Sequence, residues 1–296
     1  MPRPDEGWFD HAFFLLSDGS LAVLQTDSDI HTKFQDWNKK PSWMPRRRRM
    51  PNPWRGSARL CTISHEGNKE TTEFPLVPHP LIDRFPDGRW LLASSRAASD
   101  DENGLILEPD GRQSNSFQIG DGIEHIRCAS DGTIWVGYFD EGVFGDTSGV
   151  GGIVRFDQWG KELWSFNRQE QKEWPFVDDC YALTINNDEL WSCYYSDFPI
   201  VRLINGRLTK WNNEISGARA LAVDGSYVLL AGGYPNNDNR LALLKLERGQ
   251  ANLIGAIERP ELEKACLIQG RASTIHAVGE EAWTSITVEE VRSRLR

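Results

Sequence analysis

Signatures of known chemistry are scarce in this chain of 296 residues. It has no Gly-x-Gly-x-x-Gly, no Gly-x4-Gly-Lys-Ser/Thr, no His-Glu-x-x-His and no Gly-x-Ser-x-Gly. The usual marks of dinucleotide binding, nucleotide binding, zinc proteolysis and α/β-hydrolase catalysis are therefore missing. The six His form no pair spaced four apart. The five Cys, at 61, 128, 180, 193 and 266, are odd in number and contain no Cys-x-x-Cys, so they read as buried free thiols in a reducing bacterial cytoplasm. No apolar run approaches a membrane span, and MPRPDEGWFD at the start has no apolar signal core, so no membrane partner is expected. A formal charge of −10 lacks the basic footprint of a nucleic-acid binder.

What the chain does have is punctuation. Asp131-Gly132 separates His125–Ser130 from the apolar, aromatic run Ile134–Tyr138. A glycine-rich loop then leads to Gly152–Asp157, a turn at Trp159-Gly160, and Glu162–Phe166. An Asp-Gly pair between β-prone runs is a strong hairpin signal, because Gly takes positive φ without a steric penalty. The first turn recurs at Asp18-Gly19, Asp87-Gly88, Asn187-Asp188, Asp224-Gly225 and Gly279-Glu280. A second turn follows each of the first five units, at Glu66-Gly67, Asp110-Gly111, Trp159-Gly160, Asn205-Gly206 and Arg248-Gly249. Two hairpins make a four-stranded antiparallel blade. The first turns lie 69, 44, 56, 37 and 55 residues apart, close to the ~40–50 residues of a propeller blade with one large insertion. The expected fold is all-β, one six-bladed propeller over residues 1–296, with an insertion at 27–56 and the sixth blade lacking its second hairpin. Four residues past three of the first turns stand Trp135, Trp191 and Trp283, which this register makes equivalent, buried blade residues. The tail TVEEVRSRLR fits a short helix capped by Thr-x-x-Glu.

SDGTIWVG (Ser130–Gly137) followed by GGIVRFD (Gly151–Asp157), and NNDELWSC (Asn186–Cys193) followed by PIVRLING (Pro199–Gly206), resemble the β-propeller repeats of the two-component-regulator, NHL and SMP-30-like type. The run YFDEGVFG (Tyr138–Gly145) also looks like one found in uncharacterised bacterial propellers. SMP-30-like enzymes hold a Ca²⁺ or Zn²⁺ ion in the central channel. Their ligand residues find no residue-by-residue counterpart in this sequence, so the resemblance implies the fold and leaves that chemistry aside.

The expanded loops fall on one side. In a propeller the links between second and third strands emerge on the same face as the links between blades. Asp27–Gly56, Ala97–Asn103, Tyr138–Gly151, Tyr194–Phe198 and Tyr234–Arg240 are all such links, and loops on a rigid scaffold are where binding residues gather. Candidate ligand- or partner-binding residues on this face are Glu124, Tyr138, Asp140, Glu141, Asp178, Asp179, Tyr194, Tyr195, Asp197, Arg219 and Arg271. The insertion carries Arg46, Arg47, Arg48 and Arg49 between Trp43 and Trp54, a basic flap able to fold over an acidic rim. For most of these carboxylates taken singly, a solvated loop position is the blander alternative; for Tyr194 and Tyr195 it is packing at a strand end.

The leading expectation is a recognition propeller that takes an unknown protein or small polar ligand on the loop-rich face, with no cofactor. The alternative is a channel-mouth enzyme, a metal-assisted hydrolase, lactonase or lyase acting on a small polar substrate. Under it a divalent ion would sit among His79, His125 and His11 with nearby carboxylates, and Asp140, Glu141 and Asp179 are the first candidates for acid–base work.

Overall fold

A computed structural model describes residues 5–30, 56–64, 66–169, 175–234 and 237–296. The strands fall into six antiparallel sheets, each built from strands consecutive in the chain. The first blade holds β1 (Phe9–Leu15), β2 (Leu21–Thr26), β3 (Ala58–Ile63) and β4 (Lys69–Phe74). The second holds β5 (Pro80–Arg84), β6 (Trp90–Ser94), β7 (Gly104–Leu107) and β8 (Gln113–Phe117). The third holds β9 (Ile123–Cys128), β10 (Ile134–Tyr138), β11 (Ile153–Phe156) and β12 (Glu162–Ser165), with a one-turn helix α1 (Asp140–Val143) in its second-to-third link. The fourth holds β13 (Asp179–Asn186), β14 (Glu189–Tyr195), β15 (Ile200–Ile204) and β16 (Arg207–Trp211). The fifth holds β17 (Ala218–Asp224), β18 (Tyr227–Gly232), β19 (Arg240–Glu247) and β20 (Gln250–Glu258). The sixth has three strands, β21 (Leu267–Arg271), β22 (Thr274–Val278) and β23 (Trp283–Thr287), followed by helix α2 (Val288–Arg294). This is the six-bladed propeller read from the turns.

The turns divide into two chemistries. In the first three blades, the hairpins close with a β-turn and then a left-handed glycine. At Ala129–Thr133, Gly132 N–H donates to Ala129 O and Ala129 N–H to Thr133 O, and Gly132 has φ 78°. Asp131 accepts from the Thr133 N–H at 3.0 Å, which explains the aspartate before the glycine. The later blades use two-residue reversals instead: Asn187-Asp188, Asn205-Gly206 and Arg248-Gly249 all have both residues at positive φ, as a type I′ turn requires.

The Trp–Val–Gly and Ile–Val–Arg pieces of the repeat are halves of one contact. Trp135 pairs across the sheet with Arg155, and Trp191 with Arg202. Each guanidinium carbon lies over its ring, at 5.4 and 5.5 Å from the centroid. The cation thus lies over the face of a buried indole.

The sixth unit is displaced by one hairpin from the register expected of it. Its first turn is Ala272-Ser273, between β21 and β22, and Gly279-Glu280 is the second-to-third link. Trp283 therefore opens a third strand and is only partly buried, whereas Trp135 and Trp191 lie on second strands. The misreading has a physical source: Ala272 takes φ 45° without Gly, Asn or Asp, so no sequence signal marks the true turn. The capped helix is as expected. The Thr287 hydroxyl accepts from Glu290 N–H and the Glu290 carboxylate from Thr287 N–H, a full capping box. Val288 and Val291 of α2 pack into the core between the fifth and sixth blades.

Six apolar clusters lie at the six junctions between blades. That between the sixth and first blades is the smallest, with Leu21, Val23 and Val278 fully buried. Polar contacts reinforce this seam: Gln269 Nε2 and an Arg271 guanidinium nitrogen both donate to Leu15 O, at 2.8 and 2.7 Å. Around the axis the inner strands of blades four to six crowd together. A Cβ on Gly270 would lie 1.7 Å from Leu221 O, so only glycine permits this approach of β21 to β17.

A buried aspartate closes the axis. Asp83, at the inner strand of the second blade, is 0% exposed. Its carboxylate accepts from Ser17 N–H and Ser17 hydroxyl (both 2.6 Å), from Cys128 N–H (2.8 Å) and from Arg271 (3.2 Å). One side chain thus links blades one, two, three and six. Removing one member of a buried, hydrogen-bonded ion pair leaves the other charge uncompensated, at a cost of about 3–5 kcal/mol. Asp83→Ala is expected to lose stability on that scale in urea unfolding, and Asp83→Ala with Arg271→Met to recover part of it. A loss below about 1 kcal/mol would show that the network is incidental.

Candidate functional site

Inner strands run along the axis with one edge unpaired, so their backbone groups and the flanking side chains face a central channel. Above the Asp83 network this channel opens into a cavity of about 500 Å³. All six inner strands line it: Phe13 of β1, Leu81 of β5, Glu124 to Arg127 of β9, Asp179 to Tyr181 of β13, Arg219 of β17, and Gln269 of β21. Its mouth lies on the face of the expanded loops, since Glu124, Asp179 and Arg219 sit at the starts of their strands and Phe139 begins the β10–β11 link. A separate cavity on the turn side is lined by Ser17, Arg84, Ser130, Asp188 and Arg271. Asp83 and its donors stand between the two.

The mouth is acidic. Burial is the main reason that the Asp179 carboxyl is raised to about 6, and neighbouring Asp140, Glu124 and Asp178 add repulsion. Glu124 is raised by burial too. Glu124 keeps an exposed surface at the mouth, while protein surrounds much of its carboxyl. Asp178 accepts from the Ser196 hydroxyl at 3.0 Å.

Below the acids the lining turns basic. His125 is held neutral, its ring lowered to about 3 by burial and then by the Arg127 charge, and its Nε2 lies 3.2 Å from Tyr181 O. Arg127 is 6% exposed. It donates to Ile126 O at 2.6 Å, and its Nε has no partner among the described residues. Tyr181 lines the same cavity, edge-on to Phe198 with centroids 5.2 Å apart, its hydroxyl bonded to that of Tyr234. Tyr195 and Tyr234 extend this aromatic wall into solvent, 47% and 52% exposed.

The sequence-derived candidates separate into three groups. Glu124, Asp179 and Arg219 line the cavity, with Asp140 and Asp178 close enough to act on Asp179. Tyr138 and Tyr194 are fully buried, donating to Ile119 O and Pro175 O; they hold loops rather than face a ligand. Glu141 pairs with Arg96, which also binds Asp121 and so ties α1 to the preceding blade. Asp197 is exposed on the β14–β15 link beside Tyr195. Arg271 is a correction: it lies at the turn-side end of β21, paired with Asp83. The one-hairpin shift of the sixth unit had put it on the wrong face. Arg46, Arg47, Arg48 and Arg49, and the Trp residues flanking them, lie outside the described residues.

Arg127 and Asp83 were missed by sequence reasoning. Both are charged residues inside otherwise apolar inner strands, and a charge in that setting is itself the available signal, because burial of an ion requires a partner.

Among the described residues no group of three or more His, Cys, Asp or Glu is arranged to hold a metal ion. The divalent ion of the SMP-30-like resemblance does not fit this lining, where two arginines share the cavity with the two inner-strand carboxylates. No helix among the described residues is long and apolar enough to cross a membrane, and all five cysteines are free.

A model of the YxzG family matches residues 149–257, from the third blade into the fifth. No curated protein matches significantly. Among solved structures, a functionally unknown protein from Desulfotomaculum acetoxidans DSM 771 aligns with a TM-score of 0.51 at 13% identity, over 95% of this chain and 83% of that one. The Swd1 β-propeller domain of Myceliophteria thermophila gives 0.50 at 13% identity, over 93% and 95%. A putative gluconolactonase gives 0.48 at 13%, over 96% and 90%. This chain covers only 65% of apo AztD from Citrobacter koseri, at 10% identity and a TM-score of 0.45. At these identities the likeness is one of fold.

The raised carboxyl of Asp179 sets a direction for pH dependence. A carboxyl whose folded value lies above its unfolded value favours the folded state when protonated. Its unfavourable effect therefore grows as pH rises from about 4 to about 6 and is complete above that. Asp179→Asn is expected to stabilise the protein at pH 7–8 by on the order of 1 kcal/mol, the full linkage energy reduced for the solvent that screens a half-exposed group, and to have little effect at pH 4. Chemical denaturation of both proteins across this range measures the difference, and a difference independent of pH would contradict the assignment.

Proposed function

We propose that this protein is a recognition propeller whose ligand is a small polar molecule seated in the mouth of the central channel on the loop-rich face. The observation that carries the reading is the cavity itself: about 500 Å³, inside the range of small-molecule sites, open at one end and closed beneath by the Asp83 network. Charged groups of both signs converge in it from blades three, four and five. A protein partner alone would have no use for so deep a charged recess. A library of small polar metabolites, screened by thermal shift and native mass spectrometry, should yield a 1:1 ligand whose stabilisation is lost in Asp179→Asn or Glu124→Gln. A ligand unaffected by both changes, or none from a broad library, would defeat the reading.

A second reading rests on one further observation. Asp179 titrates near 6 beside Glu124, the property wanted in a general acid–base group operating near neutral pH. On this reading the same mouth hydrolyses a small lactone or ester. Asp179→Asn should then lower turnover about 10²–10⁴-fold and remove a pH-profile limb near 6. Wild-type-like turnover in that variant would exclude Asp179 as the acid–base group.

A further inference from the structure

The charges of the cavity are sorted by depth. At its floor Arg127 lines the cavity and feels the charges of Arg271 and Asp83. Arg271 is bonded to Asp83. Arg127 is not: it donates to the backbone carbonyl of Ile126, and its Nε is buried without a partner among the described residues. The floor thus carries one unmatched positive charge, on a group 6% exposed that lines the cavity. A buried ion ordinarily has a partner. His125 does not supply one, because it is neutral, and the nearby Cys128 and Cys180 thiols are pushed up by burial and stay protonated.

The mouth carries the opposite imbalance. Asp140, Glu124 and Asp178 all repel the Asp179 carboxylate, and no cation among the described residues is found acting on it. Arg219 is the cation lining this end, and it is engaged by the backbone oxygen of Asp238 at 3.1 Å, with the Asp238 carboxylate 3.6 Å away. Glu124 and Arg127 are three residues apart on β9, about 10 Å along a strand. Tyr181, on the cavity wall, adds an aromatic surface of the kind that attracts cations.

We infer that the ligand is a small zwitterion, with its carboxylate on Arg127 at the floor and its ammonium group at the mouth among Glu124 and Asp179. This deepens the small-ligand reading and rests on it. A purely anionic ligand would satisfy Arg127 but meet the mouth carboxylates; a purely cationic one would leave the floor charge unmatched. A ligand with both ends meets both demands at once.

Three probes separate these cases: 6-aminohexanoate, hexanoate and hexylamine, of matched length, measured by isothermal titration calorimetry on the full-length protein at low salt, with glycine and 4-aminobutyrate as shorter zwitterions. At least one zwitterion should bind ten-fold or more tightly than both singly charged probes. Arg127→Met should abolish that preference over hexylamine, and Glu124→Gln should abolish the preference over hexanoate. Glu124 is exposed at the mouth, so its variant tests the idea even where Arg127→Met fails to fold. Equal or tighter binding of hexanoate or hexylamine, or binding unchanged in Glu124→Gln, overturns the inference. Absence of binding by every zwitterion overturns it as well. The small-ligand reading stands in each case where the metabolite library yields a channel ligand of another class, and falls only where it yields none.

Discussion

The structure depends on how a ring of six sheets is held at its axis, where the inner strands leave polar edges unpaired. Asp83 is the answer here. By accepting hydrogen bonds from the first and third blades and an ion pair from the sixth, it joins neighbours that β-pairing cannot join, because each sheet is made only of its own consecutive strands. The closing seam has the smallest apolar cluster of the six, and among the described residues the sixth blade has three strands. Arg271 and Gln269 reach across that seam to Leu15 O, so the buried polar network reinforces the place where hydrophobic packing is thinnest. Isolated buried ion pairs often contribute little to stability. This one has a topological role, since its partners lie 188 residues apart in the chain.

The same network determines what the channel can be. It divides the axis into a recess open to the loop-rich face and a separate hollow on the turn side. An open tunnel would hydrate every charge within it. A closed recess keeps Arg127 nearly dry and crowds the carboxylates above it, and burial then acts on all of them: down for His125 and Arg127, up for Glu124 and Asp179. Perturbed groups of this kind concentrate at functional sites, where burial and neighbouring charges tune them.

Most of the architecture was legible in the turns. Asp-Gly and Asn-Gly pairs have a local cause, since left-handed φ and side-chain capping of the next N–H are properties of the residues themselves. That is why five blades were read in register and the loop-rich face was identified. The sixth failed for the same reason inverted. Ala272 adopts left-handed φ under tertiary constraint: Val223 N–H donates to its carbonyl from the neighbouring blade at 2.7 Å. A turn imposed from outside leaves no local mark, and the displaced register then carried Arg271 to the wrong face and made Trp283 a false equivalent of Trp135 and Trp191.

The site was legible only in its outline. Loop lengths pointed to the face on which the channel cavity opens, and Glu124, Asp179 and Arg219, named there, line that cavity. Tyr138, Tyr194 and Glu141 were named for the same positional reason, yet their polar atoms are engaged by Ile119 O, Pro175 O and Arg96. Position on a loop says that a group is near the face; only its hydrogen-bond partners say whether it remains available. Arg127 shows the converse. It sits in the middle of a strand, where a positional reading expects packing, and is distinguished only by having an unmatched charge in a nearly closed space. In propellers of this kind the informative residues are therefore the ionisable groups inside the innermost strands. There the sheet edge already exposes unpaired backbone, so any charge added must be balanced by another blade, as Asp83 is by Arg271, or by something the channel admits.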